Sequence, residues 1–190
     1  MRRLGRGFYK KPALKMAKAL LGRYLVSEKN GIRASGMIVE TEAYTGKDDP
    51  GSHASRGMTK RNAPMFGPAG RSYVYFCYGN HYLFNIVTGR QGEPGAVLIR
   101  ALEPFEGISA MKKRRANSNL FCLCSGPAKL TQALAIKKRD NDRDLTSGGL
   151  YLAGNGRKKF AVCRGPRIGI RHGLEKKWRF WIKGNRHVSA

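Results

Sequence analysis

A chain of 190 residues is about one domain's worth, long enough to bury a full core without disulfide staples. Hydrophobic residues make up 41%, which excludes wholesale disorder. Lys and Arg number 37 against 12 Asp and Glu, a net charge of +25, so the compact state repels itself and suits a polyanionic partner: nucleic acid first, an anionic membrane surface second.

No apolar run of about 18 residues occurs, so no membrane span is expected. The basic N-terminus, Met1 to Lys11, lacks an apolar stretch and a small-residue cleavage site, so secretion is not expected either. Cys77, Cys122, Cys124 and Cys163 form no C-x-x-C pair, and Cys122-x-Cys124 lacks a second pair of ligands. Four free thiols in a reducing compartment are expected.

Pro12 to Leu21 reads as a helix, with proline in its first turn and Gly22 as its stop. Tyr24–Val26 reads as a short strand, and Asn30-Gly31 as a hairpin turn into a strand that ends near Glu42. If that strand persists, Ile38, Glu40, Glu42 and Tyr44 share its inward face. A carboxylate in a partly dry site needs a partner or a task. For one glutamate alone, a structural salt bridge is the simpler reading.

Residues 45–71 are rich in Gly, Pro, Ser, Asn and Arg and predict a long ordered loop, a class that is usually functional. It carries Arg56, Lys60, Arg61 and Arg71, with Thr59 and Asn62 as hydrogen-bonding groups. A solvated surface loop is the alternative. Ser72–Tyr78 and Tyr82–Thr88 read as strands joined at Gly79-Asn80-His81, with Tyr73, Tyr75 and Cys77 on one face. Most aromatic hairpins are core strands. Tyr78, at the tip, fits instead a wedge pushed into a base stack.

Ala96–Leu102 is an apolar strand interrupted by Arg100, which needs a carboxylate if buried; Glu42 or Glu40 would serve. Glu103-Pro104 is expected to end it. A helix then carries Ile108 to the Lys112–Arg115 cluster, which fits a localisation signal, a phosphate patch or a solvated face. Residues 116–124 are a connection. Ser125 to Leu134 predicts a helix with Ser125 as N-cap and Pro127 in the first turn. Gly126 permits close backbone approach, and exposed N–H groups beside Lys129 suit a phosphate. After a charged turn at Asp140–Asp144, Leu150–Ala153, Phe160–Cys163, Arg167–Ile170 and Trp178–Ile182 read as strands. There is no repeat, low-complexity tract or dividing linker.

No G-x-S-x-G, P-loop or zinc-deaminase signature is present. What remains is Glu42 with Tyr44, Tyr75, His53 and Arg100 near it, and Tyr78 at a hairpin tip.

Val39-Glu-Thr-Glu-Ala-Tyr44, His53, Arg61-Asn62, Tyr73-Val-Tyr-Phe-Cys-Tyr-Gly79, Asn85-Ile86, Leu98–Pro104, Ser125–Leu130 and Arg167–His172 together resemble the alkyladenine (3-methyladenine) DNA glycosylase family. The match runs in order through nearly the whole chain. It implies an α+β fold: a single mixed domain over residues 1–190 with a curved, largely antiparallel sheet, flanking helices, a protruding β-hairpin and no helix-hairpin-helix motif. It also implies a monofunctional enzyme that swings alkylated purines and hypoxanthine out of double-stranded DNA and hydrolyses the N-glycosidic bond, leaving an abasic site for base-excision repair. Carried over by motif, Glu42 is the general base, and Arg100 and the Ile168 carbonyl help hold the water. Tyr44, His53, Tyr75 and Leu98 form the base pocket, and Asn85 crowds the guanine amino group. Tyr78 fills the emptied stack, with Asn80 and His81 beside it at the hairpin tip. The backbone set is Thr59, Arg61, Asn62, Ser125, Gly126 and Lys129.

No metal or other cofactor is implied. The resemblance is to the compact, bacterial form, acting as a monomer inside the cell, in the nucleoid of a bacterium or the nucleus of a eukaryote, without a membrane. Family members follow the tip glycine with methionine and an aromatic residue; Asn80-His81 is a departure that bears on opposite-strand contacts and lesion preference.

The chemistry agrees. A stacked nucleotide must be rotated out at a cost of a few kcal/mol, and tyrosine faces attract cationic alkylpurines by roughly 0.5–2 kcal/mol. An ionised Glu42 stabilises the oxocarbenium-like sugar while it deprotonates water, and Arg100 is expected to keep it ionised. Two rivals exist. A non-enzymatic RNA-binding module explains the charge but not Glu42 beside Tyr44 and Arg100. A metal-dependent nuclease would use Glu40, Glu42, Asp48, Asp49 and His53 and cut strands in a chelator-sensitive way.

Overall fold

The computed structural model describes residues 1–77, 79, 81–154 and 160–189. A 3-10 turn at Arg6–Lys10 leads into α1 (Ala13–Leu20), which begins after Pro12 and buries Met16, Ala17 and Leu20 along one stripe. β1 (Tyr24–Lys29) and β2 (Ile32–Tyr44) are joined through Asn30 at φ 50° and Gly31 at φ 73°. Positive φ at both turn residues matches the twist of paired strands, and Asn-Gly adopts it readily. The remaining elements are β3 (Ser72–Cys77), β4 (His81–Val87), β5 (Ala96–Glu106), α2 (Ile108–Arg115), α3 (Pro127–Ala133), β6 (Leu150–Ala153), β7 (Val162–Gly165) and β8 (Arg179–Ile182).

Among the described residues these strands make one curved antiparallel sheet of eight, in the order β3-β4-β5-β2-β1-β6, with β8 on β2 and β7 on β8. The fold is α+β, as the sequence implies. β2 is its spine. β5 lines one edge, while the other edge is shared between β1, opposite residues 32–37, and β8, opposite Glu40–Glu42. Register shifts fall at this handover, between Ile38 and Glu40 and between Glu40 and Thr41. Such irregularities bend a strand and re-aim its side chains. Ile38 and Val39 are both fully buried in the apolar core, and Glu40 and Glu42 stand on either side of the second shift.

α1 and α3 pack on the sheet, with Leu20, Leu130 and Ala133 in one cluster with Phe84, Ile86, Val97 and Ile99. Each large apolar side chain buried this way contributes about 1.5–3 kcal/mol. The Thr41 hydroxyl donates to the Ala17 carbonyl at 3.0 Å and fastens α1 to the spine.

Several boundaries differ from the sequence reading. β5 passes through Glu103-Pro104 and runs to Glu106. Leu102 turns its N–H away from β2, to the Cys124 carbonyl, and Pro104 two residues on faces the same edge, so its missing donor removes no bond to β2. Ser125 is not the N-cap; it bridges Ala101, which holds it extended, and Gly126 caps α3. The strand expected at Phe160–Cys163 lies at Val162–Gly165, where β8 pairs with it. Arg167–Ile170 is irregular, because the Ile168 N–H donates to a carboxylate rather than to a strand. Tyr78 and Asn80 lie outside the described residues, and His81 opens β4, exposed. All four cysteines are free thiols. No helix among the described residues is long and apolar enough to cross a membrane.

Gly107, at φ 73°, opens α2; a Cβ there would collide with the Arg33 carbonyl and sit 2.8 Å from the Ala34 Cα. Gly31 has the same φ with nothing within 4 Å. Gly31→Ala is expected to lose about 1–2 kcal/mol for the left-handed backbone. Gly107→Ala should lose about 1–3 kcal/mol more for overpacking. Urea unfolding of the two variants checks this; equal losses would contradict the close approach.

Candidate active site

Sheet register assembles the site. Tyr73 pairs with Asn85, Asn85 with Leu98, Leu98 with Glu42, and Glu42 with Arg179. Paired residues share a face, so one row across β3, β4, β5, β2 and β8 brings these side chains to one side of the sheet. Arg100 lies at the register shift of β5, between Ile99, which pairs with Thr41, and Ala101, which pairs with Glu40.

Glu42 is fully buried. Its Oε2 accepts from the Tyr44 hydroxyl at 2.8 Å, and its Oε1 accepts from the Ile168 N–H at 2.7 Å. Arg100 Nη1 lies 3.2 Å from the same Oε1. The Arg100 guanidinium also donates from Nε to Glu40 at 3.0 Å, from Nη1 to the Ile168 carbonyl at 3.4 Å and from Nη2 to Ser189 Oγ at 3.3 Å. Glu40, itself at 0% exposure, takes further bonds from Arg179 Nη1 at 3.0 Å and from the Ser189 N–H at 2.7 Å. Two carboxylates and two guanidiniums thus balance in a dry region, with their polar atoms engaged, which is the condition for burying charge.

Burial is the largest influence on Glu42 and raises its carboxyl above the ordinary 4.5, with Glu40 adding to the rise. Arg100, the Ile168 N–H and the Tyr44 hydroxyl oppose it and do not cancel it. Burial, and then the Glu42 charge, raise Tyr44 above the usual phenol range, so its hydroxyl stays a donor.

A cavity of about 400 Å³ opens beside this network, lined by Tyr44, His53, Tyr75, Asn85, Leu98 and Lys129, with Arg100 and Ile168 also on its wall. Tyr73 and Cys77 line it too, and the sequence reading placed both on the face of Tyr75 without assigning either to the site. Asn85 is fixed by donating to the Tyr73 carbonyl at 3.1 Å. His53 Nδ1 is 2.9 Å from the Tyr73 hydroxyl, and its ring meets Tyr75 edge-on at 4.7 Å. Burial, then the Arg61 charge, lower the His53 pKa below 6.5, so the ring is mainly neutral at pH 7.

A second buried ion pair aligns the loop with the sheet. Arg167 donates to Asp49 through Nη1 at 2.7 Å and Nη2 at 2.5 Å, and to the Ala43 carbonyl at 3.0 Å. Both side chains are at 0% exposure. Asp49 also accepts from the Thr45 and Gly51 N–H groups, and the guanidinium lies 4.7 Å from the Tyr44 ring. One arginine therefore ties the end of β2, the loop that carries His53 and the segment that carries Ile168. Asp49 and Glu40, weighed as metal ligands, are engaged by arginines, and Asp48 is exposed.

The residues expected at the DNA backbone are not all at the surface. Asn62 is 1% exposed and spends its amide on the His53 and Gly57 carbonyls and its Oδ1 on the Thr59 N–H, so it braces the loop and offers no surface to a phosphate. Thr59 and Arg61 are exposed, with the Arg61 guanidinium 5.2 Å over Tyr75. Gly126 and Lys129 line the cavity, while Ser125 is held by its bridge to Ala101.

The methylpurine-DNA glycosylase family model matches residues 7–186. The chain belongs to that family. The glycosylase is thus a hydrolase of N-glycosyl bonds that acts on DNA in repair. It is 50% identical over 188 residues, 98% of each chain, to a protein of Carboxydothermus hydrogenoformans named as a candidate 3-methyladenine DNA glycosylase. Proteins so named in Clostridium acetobutylicum (44% over 200 residues, 99% of this chain and 98% of the relative) and Bacillus licheniformis (47% over 186 residues, 96% and 94%) are similar along their length as well.

Asp49, Arg167, Arg179 and Ser189 escaped the sequence reading of the glycosylase's site. Asp49 and Arg167 are 118 positions apart and share no local pattern. Removing one member of a buried pair strands the other charge, so Asp49→Ala is expected to cost about 3–5 kcal/mol. Thermal and urea unfolding check it; a loss below about 1 kcal/mol, the scale of exposed pairs, would contradict the burial of Arg167.

Proposed function

We propose that this glycosylase receives a damaged purine, swung out of duplex DNA, in the tyrosine-lined cavity, and that ionised Glu42 takes a proton from the attacking water. The water oxygen bonds to C1′ of the deoxyribose as the C1′–N bond breaks, and the bonding pair leaves with the purine. The water's proton goes to Glu42, the strand stays intact, and an abasic site remains. The observation that carries this reading is Glu42 itself: dry, and gripped by Tyr44, Ile168 and Arg100, all three of which line a cavity of nucleobase scale.

Each neighbour has a defined part. Arg100 and the Ile168 carbonyl orient the water beside Glu42, and the fixed charge and dipoles suit an oxocarbenium-like sugar. Tyr44 and Tyr75 present ring faces to the purine, which attract a cationic alkylpurine such as 3-methyladenine. Hypoxanthine is neutral and leaves less readily. With the Tyr73 hydroxyl donating to His53 Nδ1, the histidine turns Nε2–H to the purine and helps it depart. Asn85 is held where an exocyclic amino group would meet it and so disfavours guanine. Lys129, on the cavity wall, and Arg61, over the Tyr75 ring, receive phosphates, and the net charge of +25 draws in the duplex. A monomer with this substrate works where the DNA lies, in a bacterium with the nucleoid.

Glu42→Gln keeps the shape and removes the base. It is expected to bind a hypoxanthine duplex like the parent and to release hypoxanthine about 10²–10⁴-fold more slowly in single turnover, read as alkali-labile sites. Unchanged release would overturn the assignment of the base, and chelator-sensitive strand cleavage without alkali would favour a metal nuclease. Tyr44→Phe deletes a hydrogen bond that lowers the Glu42 pKa. Since Glu42 works ionised, the acidic limb of the single-turnover rate should move to higher pH in that variant. A limb that stays put or moves lower would show that the hydroxyl does not act on Glu42.

A further inference from the structure

The β3–β4 hairpin has a second face. Tyr73, Tyr75 and Cys77 turn to the cavity, so Val74 and Phe76 alternate to the other side. There they line a groove of about 460 Å³ with Lys60, Arg61, Lys138 and Asn141. Phe76 is 50% exposed, and its ring stands 5.2 Å from that of Tyr82, its partner in register, at 55°. A half-exposed phenylalanine alone needs no explanation. This one forms the floor of a groove with three cations and no carboxylate among its lining residues.

The cations are held in place by structure rather than by acids. Among the described residues neither Lys60 nor Lys138 has an ion-pair partner. Lys138 opens the 3-10 turn Lys138–Asp140, which is pinned on three sides: Lys29 bonds Asp140 at 2.5 Å, Ser72 Oγ donates to the Asp140 carbonyl at 2.5 Å, and Asn141 Oδ1 accepts the Val74 N–H at 2.8 Å. Lys60 follows the loop tip that Asn62 braces. Arg61 sits on the divide, its guanidinium 5.2 Å from the Tyr75 ring and donating to the Phe76 carbonyl at 3.5 Å. Tyr75 lines both spaces, so groove and cavity are separated by the width of one strand.

An aromatic floor within a rim of unpaired cations is the chemistry that holds unpaired nucleic acid: the base stacks, the phosphates meet the cations, and every base has a face to offer. We infer that the groove is a second nucleotide subsite, which takes one unpaired nucleotide of the DNA on Phe76 and Tyr82, with its phosphates among Lys60, Arg61 and Lys138, while the cavity holds the damaged purine. This rests on the reading of the cavity as the purine site. Opening the duplex at the lesion offers two sources: the nucleotide that has lost its partner, and the one flanking the lesion, which has lost a stacking neighbour and reaches the groove by leaving its own pair. Stacking of either on Phe76 restores what the opened helix lost.

The test is a cycle between protein ring and DNA base. The affinity of the parent, Phe76→Ala and Phe76→Trp is measured for three hypoxanthine duplexes: intact, with an abasic analogue opposite the lesion, and with an abasic analogue flanking it. The parent is expected to bind one of the two modified duplexes about tenfold more weakly than the intact one, which identifies the source of the nucleotide. Phe76→Ala should bind the intact duplex about as weakly as that modified one and show no further loss with it, and Phe76→Trp should restore the difference. Lys138→Glu should weaken all three and flatten the salt dependence. Equal affinities of parent and Phe76→Ala on every duplex would overturn the subsite. So would a Phe76→Ala loss that is the same with and without the base. Base release by the parent is read separately on the same duplexes; its absence would contradict the cavity reading and leaves the affinity cycle standing.

Discussion

Burying Glu42 is the constraint from which most of this structure follows. A carboxylate at 0% exposure forfeits its hydration, and only local groups can replace it. Arg100 supplies opposite charge, but a single buried guanidinium between two glutamates would leave a net negative centre. Arg179 from β8 and the N–H of Ser189 complete the balance on the Glu40 side. Four distant parts of the chain therefore meet at the middle of β2. The register shifts in the spine are what allow Glu40, Glu42 and Arg100 to converge.

The same arrangement separates two tasks that a single carboxylate would mix. Glu40 accepts from both arginines and from Ser189, and serves the charge balance. Glu42 is held by Tyr44, Ile168 and Arg100, and all three of these partners line the cavity. Tyr44 then has two faces to its role: its hydroxyl holds Glu42, and its ring walls the cavity with the Arg167 guanidinium 4.7 Å away. The Asp49–Arg167 pair couples that ring to the His53 loop, so the cavity wall and Glu42 are positioned together.

Much of this was legible along the chain, for identifiable reasons. Asn30-Gly31 encodes its turn in two residues, and the alternation of Tyr73, Tyr75 and Cys77 encodes a cavity-facing strand in six. Arg100 in an apolar strand required a carboxylate, and Glu40 and Glu42 answer it. What was hidden depended on tertiary bonds. Arg167–Ile170 has the composition of a strand, yet the Glu42 carboxylate takes its donor. Ser125 has the chemistry of an N-cap, yet the sheet claims its backbone. Asn62 sits among basic residues like a phosphate ligand, yet the loop closes over it.

The account is tested most directly by the protonation of Glu42 itself. Carbon-13 NMR of protein labelled at the glutamate carboxyls, with Glu42 assigned by the signal missing from Glu42→Gln, gives its titration midpoint. Burial outweighing the Arg100 charge predicts a midpoint above 4.5. A midpoint at or below 4.5 would mean that the Arg100 charge and the hydrogen bonds outweigh burial, and would contradict the dry site described for Glu42.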